Sequence, residues 1–307
     1  MRKLMVSLAA LTTALAIGIV PAGAITNGVP DGNAHPYVGQ LLFYVPDEVD
    51  PRFTDPGAWF SCSGTLISPT VVLTAGHCTF GVGLDGEQTT AGGGDGGNDI
   101  WINFNTEPDF SILPPSSTFV PDGNGERYEA WSAALNASSE WHRGTSMPHP
   151  SYNNDAFFLF DAGVVVLDDP VSMSQYGDLP EEGELDEFLT GPKNDDLFTA
   201  VGYGLNESGP FTAEGGDVRF QGTLMLVNLQ GTFGIPDDTA VKFSSNRGKP
   251  HQGGTCFGDS GGPIFHEGTN EIVAVTSFAI SSTCKGTSGG YRIDQPDDLT
   301  WLAGILD

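Results

Sequence analysis

Eight short runs rich in β-branched and aromatic residues, at 38–44, 64–73, 100–104, 157–167, 197–203, 219–229, 240–243 and 272–280, recur between clusters of Gly, Pro, Asp and Asn. Branched and aromatic side chains fit a pleated strand, where they stand clear of the backbone, better than a helix, where the preceding turn crowds them. Regular interruption by turn residues points to an all-β chain of antiparallel strands closed into a sandwich or barrel. The 42 Gly and 21 Pro among 307 residues supply those turns. Helical signal is scarce and is clearest at the C-terminus, where Asp297 is placed to cap a segment that brings Leu299, Leu302, Ile305 and Leu306 near one face. The chain is long for one small barrel, so two β lobes in one compact unit are expected.

The first residues read differently. Arg2 and Lys3 precede an apolar stretch from Leu4 to Val20, and Pro21-Ala22-Gly23-Ala24 ends on a small-x-small pattern. That is the layout of a cleaved secretory signal peptide, so the expected division is a leader at 1–24 and one domain at 25–307 starting with Ile25. No later segment reaches the ~18 to 20 uninterrupted apolar residues of a membrane helix. The product is therefore expected to be secreted, extracellular, free of the membrane after export, and monomeric.

Charge narrows the partners. Thirty-nine acidic residues face 12 basic ones, a formal charge of −27. Binding a polyanion needs clustered Lys and Arg to release counterions from phosphates, and this chain has no such cluster, which excludes nucleic acid as a partner.

Export makes the cysteines readable. Cys62, Cys78, Cys256 and Cys284 are even in number and enter an oxidising compartment, where two disulfides are expected rather than a thiolate metal site. They admit three pairings. The local one, Cys62 with Cys78 and Cys256 with Cys284, closes the shorter loops and is the expected one. No C-x-x-C pair is present to favour zinc.

Segments 84–99 and 179–196, rich in Gly, Asp, Asn and Glu, read as inserted surface loops. Asp85, Glu87, Asp95 and Asp99 offer hard oxygen ligands of the kind calcium takes, but their spacing does not match the Asp-x-Asp-x-Asp-Gly loop that makes calcium specific. No cofactor or other metal is expected.

Three segments carry chemistry. His77 stands in Thr74-Ala75-Gly76-His77-Cys78, Asp161 opens Ala162-Gly163-Val164-Val165-Val166-Leu167, and Ser260 sits in Gly258-Asp259-Ser260-Gly261-Gly262-Pro263. A serine hydroxyl is a poor nucleophile until an imidazole takes its proton and a carboxylate holds that imidazole in the right tautomer. Glycines beside the serine let the backbone approach a substrate and turn N–H groups toward an oxyanion. Gly258 to Gly262 also fits the Gly-x-Ser-x-Gly elbow of α/β-hydrolases, but that fold needs its acid and then its histidine after the serine, and only His266 follows. The order here is His77, Asp161, Ser260. Subtilisins place the acid before the histidine, so they do not fit either.

The blocks Cys62-Ser63-Gly64-Thr65-Leu66-Ile67-Ser68-Pro69 through Cys78, Asp161 to Leu167, Gly202-Tyr203-Gly204 and Thr255 to Pro263 occur in one order along most of the domain. In these blocks the sequence resembles chymotrypsin/trypsin-type serine endopeptidases of the secreted bacterial kind. The resemblance implies two six-stranded antiparallel β-barrels with the active cleft between them and a short C-terminal helix. It implies Ser260 as nucleophile, His77 as general base and then acid, Asp161 as its orienter, and the N–H groups of Gly258 and Ser260 as the oxyanion hole. The two local cysteine pairs coincide with pairs common in the family.

The same resemblance places Gly254 and Thr255 at the floor of the primary pocket, Ser277, Phe278 and Ala279 on the strand that pairs with substrate, and Gly289 on the facing wall. With no acid at the floor, cleavage of protein or peptide substrates is expected after apolar residues rather than Lys or Arg, with Gly289 leaving room for Leu, Met or Phe. Ile25 and Asp259 are the expected N-terminal ion pair. A protease-like protein that binds without cleaving is the competing reading, and the intact trio argues against it.

Overall fold

The computed structural model describes residues 25–46, 48, 57–83, 97–119, 126–188, 197–208, 213–229, 239–244 and 253–306. The expected leader at 1–24 lies outside the described residues, as do Asp85, Glu87 and Asp95. A short β1 (Val29–Pro30) precedes the first lobe, which contains β2 (Val38–Val45), β3 (Ala58–Leu66), β4 (Val71–Thr74), β5 (Ile100–Asn103), β6 (Trp141–Pro148) and β7 (Gly163–Leu167). The second contains β8 (Leu197–Gly202), β9 (Leu205–Ser208), β10 (Ala213–Gly215), β11 (Phe220–Asn228), β12 (Ala240–Ser244), β13 (Pro263–His266), β14 (Ile272–Ala279) and β15 (Thr287–Arg292). Helices are α1 (Glu126–Ala137), α2 (Glu184–Glu187) and α3 (Pro296–Leu306).

Both expected barrels form. Strands β2-β3-β4-β7-β6-β5 close on themselves. In the second lobe the order β11-β12-β15-β14-β13-β8 closes through antiparallel pairing of β8 with β11, and β1 crosses over to extend this sheet beside β11. Closure removes the unpaired edges that an open sheet exposes. β11 shows the driving pattern: Phe220, Gly222, Leu224 and Leu226 point inward and alternate with partly exposed neighbours. β2 is buried along its whole length, because its second face is also covered.

That cover is α1, a helix outside the segments expected from the sequence. Tyr128 and Trp131 of α1 reach Trp59 of β3, and Trp59 in turn meets Tyr44 of β2 and Trp101 of β5. The spacing Tyr128, Trp131, Leu135 is the available helical signal, supported by four alanines of high helix propensity. The expected run at 64–73 splits into β3 and β4 around a turn at 67–70, and only the second half of 157–167 is strand. The segment expected as surface loop at 179–196 includes α2, whose Leu185 is buried. At the C-terminus Pro296 takes the first helical position, which its fixed φ suits, so Asp297 lies inside the first turn instead of capping it.

The lobes are fastened by Arg219, which precedes β11 and is fully buried. Its Nε donates to Asp31 Oδ2 at 2.9 Å, its Nη2 to Asn33 Oδ1 at 2.7 Å, and its Nη1 to the carbonyls of Val38 at 2.7 Å and Phe104 at 3.0 Å. The apolar core is likewise shared: Leu41, Leu73 and Val165 of the first barrel pack in one cluster with Val201, Phe265 and Val275 of the second.

Candidate active site

The site lies where the lobes meet. His77 occupies a single 3-10 turn, Gly76–Cys78, immediately after β4, and the Cys62–Cys78 disulfide ties that turn to β3. Asp161 directly precedes β7, which pairs with β4 in register, so the two chain ends emerge side by side. Gly76 permits this approach, since a Cβ there would meet Tyr152 and the carbonyl of Ala162.

Asp161 is fully buried and fully engaged. Its Oδ1 accepts the backbone N–H of His77 at 2.9 Å, and its Oδ2 lies 2.9 Å from His77 Nδ1. Ser277 of β14 donates its hydroxyl to the same Oδ2 at 2.5 Å. Burial pushes the His77 pKa down, but the Asp161 charge and hydrogen bond outweigh it and hold the imidazole above its ordinary 6.5. The bond at Nδ1 leaves Nε2 directed to the cleft, which His77 and Ser260 line together.

Ser260 is held through its backbone. Its carbonyl accepts from Ser63 N–H of β3 at 2.8 Å, and the next two residues exchange bonds with β14, Gly261 N–H to the Thr276 carbonyl and Thr276 N–H to the Gly262 carbonyl. Ser63 also donates its hydroxyl to the Gly258 carbonyl at 2.9 Å and accepts the Tyr203 N–H at 3.0 Å. Ser63 has no role in the motifs that the sequence presents. The signal for it is a fully buried hydroxyl in an apolar strand. Gly258 has φ +96°, and a Cβ there would strike Gly204, so only glycine fits. Among the described residues no acceptor takes the N–H of Gly258 or Ser260, which leaves both as donors for an incoming oxygen.

Behind this loop sits Asp259, fully buried. It accepts from Gly204 N–H at 2.8 Å, Cys256 N–H at 2.8 Å and the backbone N–H of Ile25. Burial outweighs these bonds and pushes its carboxyl up to about 7. Ile25 is also fully buried, its side chain seated where Gly222 and Gly253 lack a Cβ. The next residue, Thr26, pairs with Gly254 through N–H···O bonds of 2.8 and 3.0 Å. The Cys256–Cys284 disulfide joins the Ser260 loop to the segment after β14.

A pocket of about 230 Å³ beside Ser260 is lined by Thr255, Cys256, Thr276, Ser277, Phe278 and Ala279, among others. It differs from expectation at one wall. The space that Gly289 was expected to leave open is taken by the Phe278 ring, which a Cβ on Gly289 would overlap. Phe278 faces Gly289 across β14 and β15, directly after a register shift between Thr276 and Phe278.

Of the four calcium candidates only Asp99 lies within the described residues. Asp99 is buried, takes the Tyr128 hydroxyl at 3.1 Å and lies 3.7 Å from Arg143.

Comparison with known proteins fits this geometry. The family model described as trypsin matches residues 125–296, more than half of the chain. Serine protease 1 of Drosophila melanogaster is 25% identical over 293 residues, covering 93% of this chain and 84% of the relative. Brachyurin of Leptuca pugilator is 24% identical over 251 residues, covering 81% of this chain and 85% of the relative. The fold matches that of HL collagenase with a TM-score of 0.60 at 18% identity, over 92% of this chain and 98% of that one. These relatives come from an insect and a crab, so they give no support to the bacterial kind expected from sequence. Family match and architecture agree, and the chain belongs to the trypsin family of serine endopeptidases.

Proposed function

We propose that this protein is a secreted, monomeric endopeptidase that hydrolyses protein and peptide substrates through Ser260, His77 and Asp161, cleaving after apolar residues rather than Lys or Arg. The observation that carries the reading is the position of His77. Its ring shares a cleft with Ser260, while its Nδ1 is fixed 2.9 Å from a carboxylate with no access to water. Ser260 Oγ attacks the scissile carbonyl as His77 Nε2 takes its proton, and the N–H groups of Gly258 and Ser260 receive the oxyanion. His77 passes that proton to the leaving amine, and water then hydrolyses the acyl-enzyme by the same route reversed. Base, orienter and oxyanion donors are all protein groups, so the scheme calls on no cofactor.

Selectivity follows from the pocket. Thr255, Thr276 and Phe278 line it, and among the described residues no acid does. A buried Lys or Arg would stand unpaired there, at a cost of several kcal/mol.

The same reading gives Ile25 a role. When Ile25 is an amide in an uncut chain its φ is +57°, which costs a β-branched residue about 1–2 kcal/mol. A free N-terminus has no φ, so cleavage before Ile25 removes this cost and sets an ammonium where the amide meets Asp259. Secretion, and the bacterial kind of enzyme, rest on the sequence resemblance and the leader alone.

The deciding experiment is active-site labelling. A fluorophosphonate should add its mass to the peptide holding Ser260, and Ser260→Ala should abolish both the label and peptide hydrolysis. A folded, disulfide-intact protein that takes no label and cleaves no peptide would leave the binding-protein reading in its place.

A further inference from the structure

Two recesses meet at Ser260, and they are unequal. The pocket along β14 holds about 230 Å³ and ends on the Phe278 ring, which fills the space in front of Gly289. On the far side of Ser260 and His77 lies a cleft of about 500 Å³ walled by Phe43, Phe60, Phe80 and Val45, with Glu48 and Asn154 also on its lining. Phe60 is 42% exposed and leans on the buried Phe43 at a ring separation of 6.0 Å. An aromatic side chain left in water beside a concave apolar wall gains free energy when another apolar group covers it.

The chemistry tells which part of a substrate reaches each recess. β14 presents Ser277 to Ala279 beside the small pocket, so the segment before the scissile bond, pairing along that strand, puts its side chain there. His77 hands its proton to the departing amine, and the large cleft opens on the His77 side. The departing segment therefore runs into the aromatic cleft.

We infer that this protease selects its substrates chiefly by the residue that follows the scissile bond, accepting a large apolar or aromatic side chain in the cleft of Phe43, Phe60 and Phe80, and a small apolar residue before the bond. The inference rests on the proposed Ser260 mechanism and adds to it a second, dominant recognition site. Phe60 and Phe278 are the residues that set the two preferences.

Acyl transfer tests each side separately. The enzyme is acylated with an N-blocked alanine ester, and glycinamide, leucinamide, phenylalaninamide and lysinamide compete with water for the acyl group, with products resolved by mass spectrometry. Leucinamide or phenylalaninamide should capture the acyl group at least tenfold better than glycinamide, the discrimination an apolar pocket supplies. In Phe60→Ala that ratio should fall to within about twofold of one. On the acyl side, alanine esters should react faster than phenylalanine esters, and Phe278→Ala should reverse the order by tenfold or more. Equal capture of glycinamide and phenylalaninamide, an unchanged ratio in Phe60→Ala, or a native preference for phenylalanine esters would overturn the inference. Fluorophosphonate titration of the same samples separates the two levels. A labelled, ester-active enzyme without the leaving-side preference refutes the inference alone, whereas an unlabelled, inactive protein refutes the nucleophile assignment and the inference with it.

Discussion

The Ser277 hydroxyl donates to Asp161 Oδ2 at 2.5 Å, joining β14 of the second lobe to the carboxylate that orients His77 in the first. Because Asp161 has no access to water, no solvent molecule takes over if that hydroxyl is lost. Ser277→Ala should therefore cost about 1–3 kcal/mol of stability. It should also lower kcat/KM about tenfold through looser placement of His77. Thermal unfolding and ester hydrolysis measure both, and an unchanged kcat/KM would remove Ser277 from the positioning network.

Replacing the orienter has a larger effect. Asp161→Asn should reduce kcat by about 10⁴, the size of effect typical of this arrangement when the tautomer is wrong. The pH profile adds an independent readout. His77 is held above 6.5 by Asp161 against burial, and its neutral form is the base, so native kcat/KM should rise with pH through a midpoint above 6.5. In the Asn variant burial acts alone and the midpoint should move below 6.5. A midpoint that stays in place would disconnect Asp161 from His77.

The state of Ile25 should be visible in stability against pH. In a chain that keeps a residue ahead of Ile25, Asp259 has its carboxyl raised from 3.8 to about 7, so the folded form binds that proton more tightly than the unfolded form. Stability from this group then falls as pH rises from about 4 to about 7, on the order of a few kcal/mol in all. A chain starting at Ile25 carries an ammonium that pairs with the carboxylate and removes this loss. That pairing fades at higher pH as the ammonium, ordinarily titrating near ~8, loses its proton. Melting curves of the two forms should diverge between pH 5 and pH 7, with parallel curves as the contrary result.

Arg219 offers a test away from the chemistry. Arg219→Ala leaves the buried Asp31 carboxylate to His35 alone among the described residues, strips the Val38 and Phe104 carbonyls of their donor, and should destabilise the fold by about 3–5 kcal/mol. Adding Asp31→Leu to an Arg219→Met background should recover part of that loss, because the Arg219–Asp31 pair is then removed whole, while His35 loses the carboxylate it meets. A double variant as unstable as the single alanine would mean that the carbonyl contacts to Val38 and Phe104 dominate.

The positions of His77, Asp161 and Ser260 were legible because each is marked by its immediate neighbours: a strand end before the turn at His77, an apolar strand after Asp161, glycines around Ser260. The disulfides were legible for a similar reason, since both link cysteines near in sequence, 16 and 28 residues apart. β6 and β15 were missed, because β6 mixes polar and apolar residues and β15 carries Gly289 and Gly290 where a strand usually carries branched side chains. Helix α1 was missed because the aromatic wall that receives Tyr128 and Trp131 is built from β2, β3 and β5, distant in sequence. Two further features belong to the tertiary structure alone. Arg219, carried by the second lobe, becomes a clamp only when the first lobe brings the carbonyls of Val38 and Phe104 to it. The Phe278 ring closes the pocket only because a register shift after Thr276 brings it opposite Gly289, where the absent Cβ leaves room. Residue types and local spacing name the reacting groups, but which wall a side chain fills depends on strand register, and register is fixed by the closure of the whole barrel.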